Sequence, residues 1–253
     1  MSDFTRADSC VIACAEIYRG DGEILASPAV GFIPFIGARL ARATFEPDLL
    51  MTDGEAMLVD GMMPFGVATK KVVEGWLPYR QMFDVVWSGR RHVVMGASQV
   101  GRYGDTNISA IGSWERPRVQ LIGSRGAPGN TVNHKTSYWV PSHGARVFVE
   151  SVDFISGLGP RRAREAGGTL PHYSQVRYVV SDLGVFDFDG EGGAMRVVSL
   201  HPGVSADEVR RKTGFPVAIP DSVPETRRPS DEELHLIREM FDPKGLRLKE
   251  VTV

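Results

Sequence analysis

MGASQVGRYGDTNIS, Met95 to Ser109, follows the apolar run RHVV at 91–94, and its reading decides the fold. A β-branched run that breaks into glycine and polar residues reads as a buried strand delivering a loop at its carboxyl end. SDLGVFDF, Ser181 to Phe188, repeats the pattern after VRYVV. Open α/β sheets build their sites in such loops.

Working outward, residues 5 to 19 carry apolar side chains at helical spacing, opened by Thr5 and closed by Gly20-Asp21-Gly22. Ile24 to Ser27 reads as extended, broken by Pro28 and Gly31. Gly37 to Phe45 reads as a helix with Arg39 and Arg42 on its polar face, and PDLLMTDGE at 47–55 as a short strand ending in a charged turn. RHVVMGA, ARVFVE and VRYVVSDL are further strands. Strands apolar on both faces and separated by helices predict an open, mostly parallel α/β sheet flanked by helices. SADE at 205–208 and SDEE at 230–233 match the capping box. Residues 215 to 230 hold four prolines and read as an extended connector. The expectation is one domain over 1–253, with the connector and a helix at about 215–245.

Composition excludes several functions. Among 253 residues, 29 basic and 31 acidic side chains give a net charge of −2, which recruits neither nucleic acid nor an anionic membrane. No apolar run approaches the ~20 residues of a membrane span, and MSDFTRADSC lacks a signal-peptide layout. A cytoplasmic protein is expected. Cys10 and Cys14, at helical i, i+4 spacing, read as core residues. Six scattered histidines form no metal motif, and no G-x-S-x-G occurs, so neither a metal site nor a nucleophile elbow is expected.

The strand-end rule selects Ser27 to Gly31, Thr52 to Ala56, Gly96 to Asn107, and Gly123 to Asn133. The last, GSRGAPGNTVN, has glycines that let backbone approach a ligand and amides suited to an oxyanion, although a plain surface turn fits its composition equally. Glu55, after LLMTDG, is a candidate nucleophile or general base, or else a solvated turn residue. GLGPRRAREAG at 157–167 lacks dinucleotide-loop spacing and reads as a charged turn.

MGASQVGRYGDTNIS is similar to a segment of class I coenzyme A-transferase beta subunits of the glutaconate type. The resemblance continues through GAPGN (126–130), RVFVESVDFISGLG (146–159), SDLGVFDF, LHPGVSADEVRRKTGF (200–215) and DEELHLIREMFDP (231–243), covering about residues 10–245. It implies the family's open sheet and a heteromer, an α2β2 assembly, with a distinct alpha subunit of the same fold. Two departures stand out. The family's nucleophilic glutamate falls at Gly54, with Glu55 one residue late, and one residue of slip turns a strand side chain around. Gly101 stands where the family has Asp. TDGEA, GRRHVVMGA and APGNTVNHKTSYWV are closer to a narrower branch, the beta subunits of actinobacterial cholesterol ring-cleaving hydrolases.

That resemblance implies carbon–carbon hydrolysis of a 6-oxocyclohexene-carboxyl-CoA thioester, with the main catalytic glutamate on the alpha subunit and no cofactor beyond the substrate's own coenzyme A. Gly126, Gly129 and Asn130 would face the thioester, and Gly54 is a further substrate-binding candidate. Gln99 joins the substrate-facing set, although it and Asn107 fit the ordering of their own loop at least as well. Glu55 remains the catalytic candidate on this chain. A coenzyme A-transferase, with Glu55 carrying the acyl group, and a non-catalytic half completing a partner's site are the alternatives. GFIPFIGARLARATF, 31–45, is apolar beyond one helix face and is expected to meet the partner.

Overall fold

Period-two alternation of apolar side chains gives the central strands two buried faces, and helices and loops cover both. The computed structural model describes residues 3–52, 57–61 and 64–251. Four strands pair in parallel: β1 (Leu25–Pro28), β2 (Arg91–Gly96), β3 (Lys135–Val140) and β4 (Gln175–Ser181). Two antiparallel strands, β5 (Gly184–Asp187) and β6 (Arg196–Leu200), complete the sheet in the order β1-β2-β3-β4-β5-β6. Val94, Trp139, Val180 and Val185 point into one core, and Val93, Tyr138, Val179 and Phe186 into the other. This is the open, mostly parallel sheet expected, with an antiparallel edge the strand runs did not announce.

Helices α1 (Arg6–Glu16) and α2 (Ile33–Thr44) cover the first face. Thr5 and Asp8 form a reciprocal capping box at the start of α1. The two helices approach so closely that a Cβ on Gly37 would lie 2.8 Å from the Cys14 backbone, which explains a glycine inside a helix. Both cysteines are buried and free. The expectation that residues 31–45 form the partner surface is corrected here: Ile33, Ile36, Ala38, Leu40 and Ala41 are all buried. A helix apolar nearly all round belongs inside, and α1 on one side with the sheet beneath consumes its surface.

Other local expectations also shift. ARVFVE contributes only Phe148–Val149, to a small sheet with Gln99–Gly101 and Thr106–Asn107, rather than a central strand. Pro160–Ala166 is a helix, where a charged turn was expected. Ser230 forms its capping box in full, whereas Ser205 only accepts from the Glu208 amide. Residues 215–230 run extended beside β6, bridging Arg196 to Ala218 and Leu200 to Glu225. The C-terminal segment then returns to α1, where Arg238 and Arg247 pair with buried Asp8. No helix among the described residues is long and apolar enough to cross a membrane.

Candidate active site

The carboxyl ends of β1, β2 and β3 open into one cavity of about 570 Å³. Ala29 and Val30 come from the loop after β1, Met95 to Ser98 from the end of β2, and Trp139 and Pro141 from β3. The fourth wall is Ile122 and Arg125 to Ala127, with Asn130 behind them. GSRGAPGNTVN is therefore no plain loop: α4 (Ala127–Asn133) occupies most of it, with Pro128 in its first turn. Arg125, just before α4, is the only non-glycine residue with positive φ among those described (φ 51). Such a conformation is uncommon outside glycine and gathers at functional loops. Sequence reading passed over Arg125, because left-handed backbone at a non-glycine residue leaves no compositional trace.

Of the sequence candidates, Gly126 and Asn130 line the cavity. Gly129 lies one helical turn deeper, where a Cβ would meet Val86 of α3 (Gln81–Ser88) at 3.7 Å. Gln99 does not line it. Its Nε2 donates to Asp153 at 3.1 Å, and its Oε1 accepts from Asn107 Nδ2 at 2.8 Å and the Asp153 amide at 3.0 Å. Gln99 and Asn107 thus order the loop after β2. Gly54 and Glu55 fall outside the described residues. Among the described residues, the lining contains no carboxylate and no imidazole; its polar side chains are Ser98, Arg125 and Asn130.

Support for this wall comes from buried polar groups. Asn130 Oδ1 accepts from Arg91 Nη1 at 3.0 Å and lies 3.2 Å from His134 Nε2, while Asn130 Nδ2 donates to Met95 Sδ at 3.1 Å. Burial pushes His134 down to about 4, so it is neutral at physiological pH. Beyond the lining residue Trp139, Glu250 accepts from the Phe32 and Ile33 amides at 2.8 Å each and from the Trp139 indole at 3.3 Å. A carboxylate at the start of α2 satisfies orphan amides and complements the helix dipole. Gly31 (φ 64) lies directly against it, since any Cβ there would collide with the Glu250 carboxylate.

A serine–histidine–aspartate array occurs elsewhere, outside the cavity lining. Ser137 Oγ lies 2.9 Å from His92 Nε2, and His92 Nδ1 lies 2.6 Å from Asp21. All three are buried, and they sit nearer the amino ends of the strands, away from the cavity. Burial opposes ionisation of Asp21, but the His92 hydrogen bond and the Lys135 ammonium overcome it and hold the carboxyl below its ordinary range. Lys135 and Arg177 contact it at 2.7 and 2.9 Å. Burial keeps His92 neutral. Buried together, the three side chains tie the Asp21 turn to β2 and β3.

The strand-end cavity, walled by backbone, a glycine-rich helix start and an asparagine, lies where open α/β sheets place their sites. No protein-family model matches the chain. It is 52% identical over 253 residues to the cholesterol ring-cleaving hydrolase IpdB subunit of Rhodococcus jostii (strain RHA1), covering 100% of this chain and 98% of that one. The crystal structure of Rhodococcus jostii RHA1 IpdAB matches with a TM-score of 0.93 at 52% identity over 100% of both chains. More distantly, the chain is 26% identical over 230 residues to a subunit of the glutaconate CoA-transferase of Acidaminococcus fermentans, covering 83% and 84% of the two. The crystal structure of that species' glutaconate coenzyme A-transferase shares the fold at a TM-score of 0.81. The chain belongs to the IpdB subunit family of cholesterol ring-cleaving hydrolases.

Proposed function

We propose that this chain is the beta half of a cytoplasmic, heteromeric hydrolase that opens the last steroid ring of a 6-oxocyclohexene-carboxyl-CoA thioester in cholesterol catabolism. One observation carries the reading: among the described residues the cavity has hydrogen-bond donors for an oxyanion and no acid or base. The resemblance to ring-cleaving hydrolase beta subunits puts the base on the alpha subunit, and this cavity is read as one wall of the shared site. Family membership at 52% identity over the full length supports the same substrate class.

The chemistry follows from that division. A carboxylate on the alpha subunit takes a proton from water, and the resulting hydroxide adds to the ring ketone. Collapse of the tetrahedral adduct makes the new carboxylic acid and breaks the adjoining carbon–carbon bond. Its electron pair passes to the thioester as an enolate, which is then protonated on carbon. The enolate oxygen needs preorganised donors, each worth ~2.7–4 kcal/mol when removed. Asn130 Nδ2 and the backbone at Gly126 face the cavity on that side, while Arg125 beside them suits the anionic tail of coenzyme A. No cofactor beyond that coenzyme A is required, and Gly54 and Glu55 are left in support.

Docking of the alpha subunit has a candidate surface. Trp76 (67% exposed), Tyr79 (80%), Phe83 (56%) and Trp87 (73%) present four aromatics within twelve residues. Aromatic side chains of this kind dominate interface cores. Helix α3, which carries two of them, packs against α4 behind the cavity wall. The proposed assembly is α2β2.

The test is mass spectrometry of the co-expressed pair turning over the ring-ketone thioester in 18O-water, with and without acetate or succinate. Label in a new carboxylate, with the thioester intact, is expected. Transfer of coenzyme A to the added acid would overturn the reading and make Glu55 the nucleophile.

A further inference from the structure

Arg91 opens β2 and is buried, yet no carboxylate among the described residues pairs with it. Nη1 donates to Asn130 Oδ1 at 3.0 Å and Nη2 to Ser27 Oγ at 2.8 Å, while Nε has no hydrogen-bond partner among the described residues. Buried cations are ordinarily paired, because an isolated charge in a low-dielectric interior is costly. Burial lowers Arg91 to about 10, which leaves it charged at neutral pH. A fixed positive charge therefore stands one hydrogen bond behind a side chain that lines the cavity.

The geometry also sets the direction of the Asn130 amide. Guanidinium only donates, so it is satisfied by the carbonyl end alone. The amino end is then turned to Met95, itself a lining residue. Ser27, the second anchor, lies in β1 two residues before Ala29 of the cavity loop. Arg91 thereby ties two walls of the cavity together.

We propose that Arg91 is a positioning residue for the thioester. It holds the amino end of Asn130 toward the cavity and places a positive charge behind the wall where the thioester oxygen becomes negative. This rests on the reading of the cavity as a coenzyme A thioester site. Its energetic effect is differential, since the charge acts most strongly on an oxygen that gains charge in the transition state.

The test uses the co-expressed complex and cyclohex-1-enecarboxyl-CoA labelled with 13C at the thioester carbonyl. That probe lacks the ring ketone and is not cleaved. Binding to the wild-type complex is expected to lower the carbonyl stretching frequency. Arg91→Met should lose most of that shift with little change in probe affinity. For the ring-ketone substrate, Arg91→Met should lower kcat roughly 10–100-fold with KM nearly unchanged, less than the ~10²–10³ lost with a whole oxyanion donor. Arg91→Lys should recover part of the loss. In an Asn130→Ala background, Arg91→Met should cost clearly less than in the wild type, because only the charge is then left to lose.

A wild-type carbonyl frequency and kcat in Arg91→Met, or losses that multiply in the double variant, would overturn the proposal. Should Arg91→Met not fold, Arg91→Lys decides, because lysine keeps the charge but cannot bridge Asn130 and Ser27 together. An unshifted wild-type frequency there overturns the proposal as well. Failure of the probe to bind the wild-type complex instead sinks the thioester-site reading, and the role of Arg91 with it.

Discussion

Lowering the pH from 8 to 5 should remove about 6 kcal/mol of folding free energy through three buried imidazoles of this chain. Burial holds His134 and His201 at about 4 and His143 at about 3. His143 is stacked on Phe148 and bonded to Ser181 and Thr213, and His201 bridges Thr226 and the Ser181 carbonyl. Unfolded, each titrates near ~6.5. At pH 5 the native chain binds almost none of these protons and the unfolded chain nearly all. Each histidine therefore costs about 1.36 × 1.5, or ~2 kcal/mol. The sign follows from the depressed values: the contribution is complete above ~6.5 and is lost as pH falls toward the folded values. His92, also depressed by burial, acts in the same direction. Against a typical total of ~5–15 kcal/mol, the loss is large.

Urea unfolding of the complex at fixed subunit concentration, followed by tryptophan fluorescence, measures it. His143→Gln isolates this chain from its partner: the variant should show about 2 kcal/mol less difference between pH 8 and pH 5. An unchanged pH dependence in His143→Gln would mean that the imidazole is already hydrated or charged in the native state, and the burial reasoning would fail.

Three further outcomes are expected. Trp87→Arg or Phe83→Arg should abolish co-purification with the alpha subunit while leaving the far-ultraviolet spectrum of the soluble chain unchanged; intact complex in both variants would remove α3 from the interface. Arg125→Ala should raise KM for the thioester at least several-fold with kcat nearly constant, the pattern of lost uniform binding, measured by steady-state kinetics. Glu250→Ala should cost about 1–2 kcal/mol in denaturant unfolding by exposing the amides that begin α2, with Glu250→Gln costing less.

Much of the architecture was legible. RHVVMGASQV announced both β2 and its functional loop, because a β-branched run followed by glycine leaves few alternatives. What misled was composition read without neighbours. GAPGNTVN holds two glycines, a proline and two asparagines, all poor helix formers, yet packing on α3 makes it helix α4. KTSYWV begins with polar residues and concealed the central strand β3, whose Thr136 and Ser137 are buried and hydrogen-bonded. The apolar helix at 31–45 suggested an interface, but the exposed aromatics lie at 76–87, in a segment with no single period. Gly126 and Asn130, which line the cavity, stood in a loop the strand-end rule selected. The bond from Arg91 to Asn130 spans 39 residues and could be found only in three dimensions.

The contact between Glu250 and the amides of Phe32 and Ile33 also has a consequence in time. It joins residues 217 positions apart in the chain. At ~5–20 residues per second, roughly 10–40 s of synthesis separate the start of α2 from the carboxylate that caps it. The segment Gly31 to Ile33, which follows Ala29 and Val30 of the cavity lining, must wait through that interval, although the strands beneath it have already been made. A nascent chain thus carries its sheet before its finished pocket, and a partner that docks early meets a segment not yet tied down.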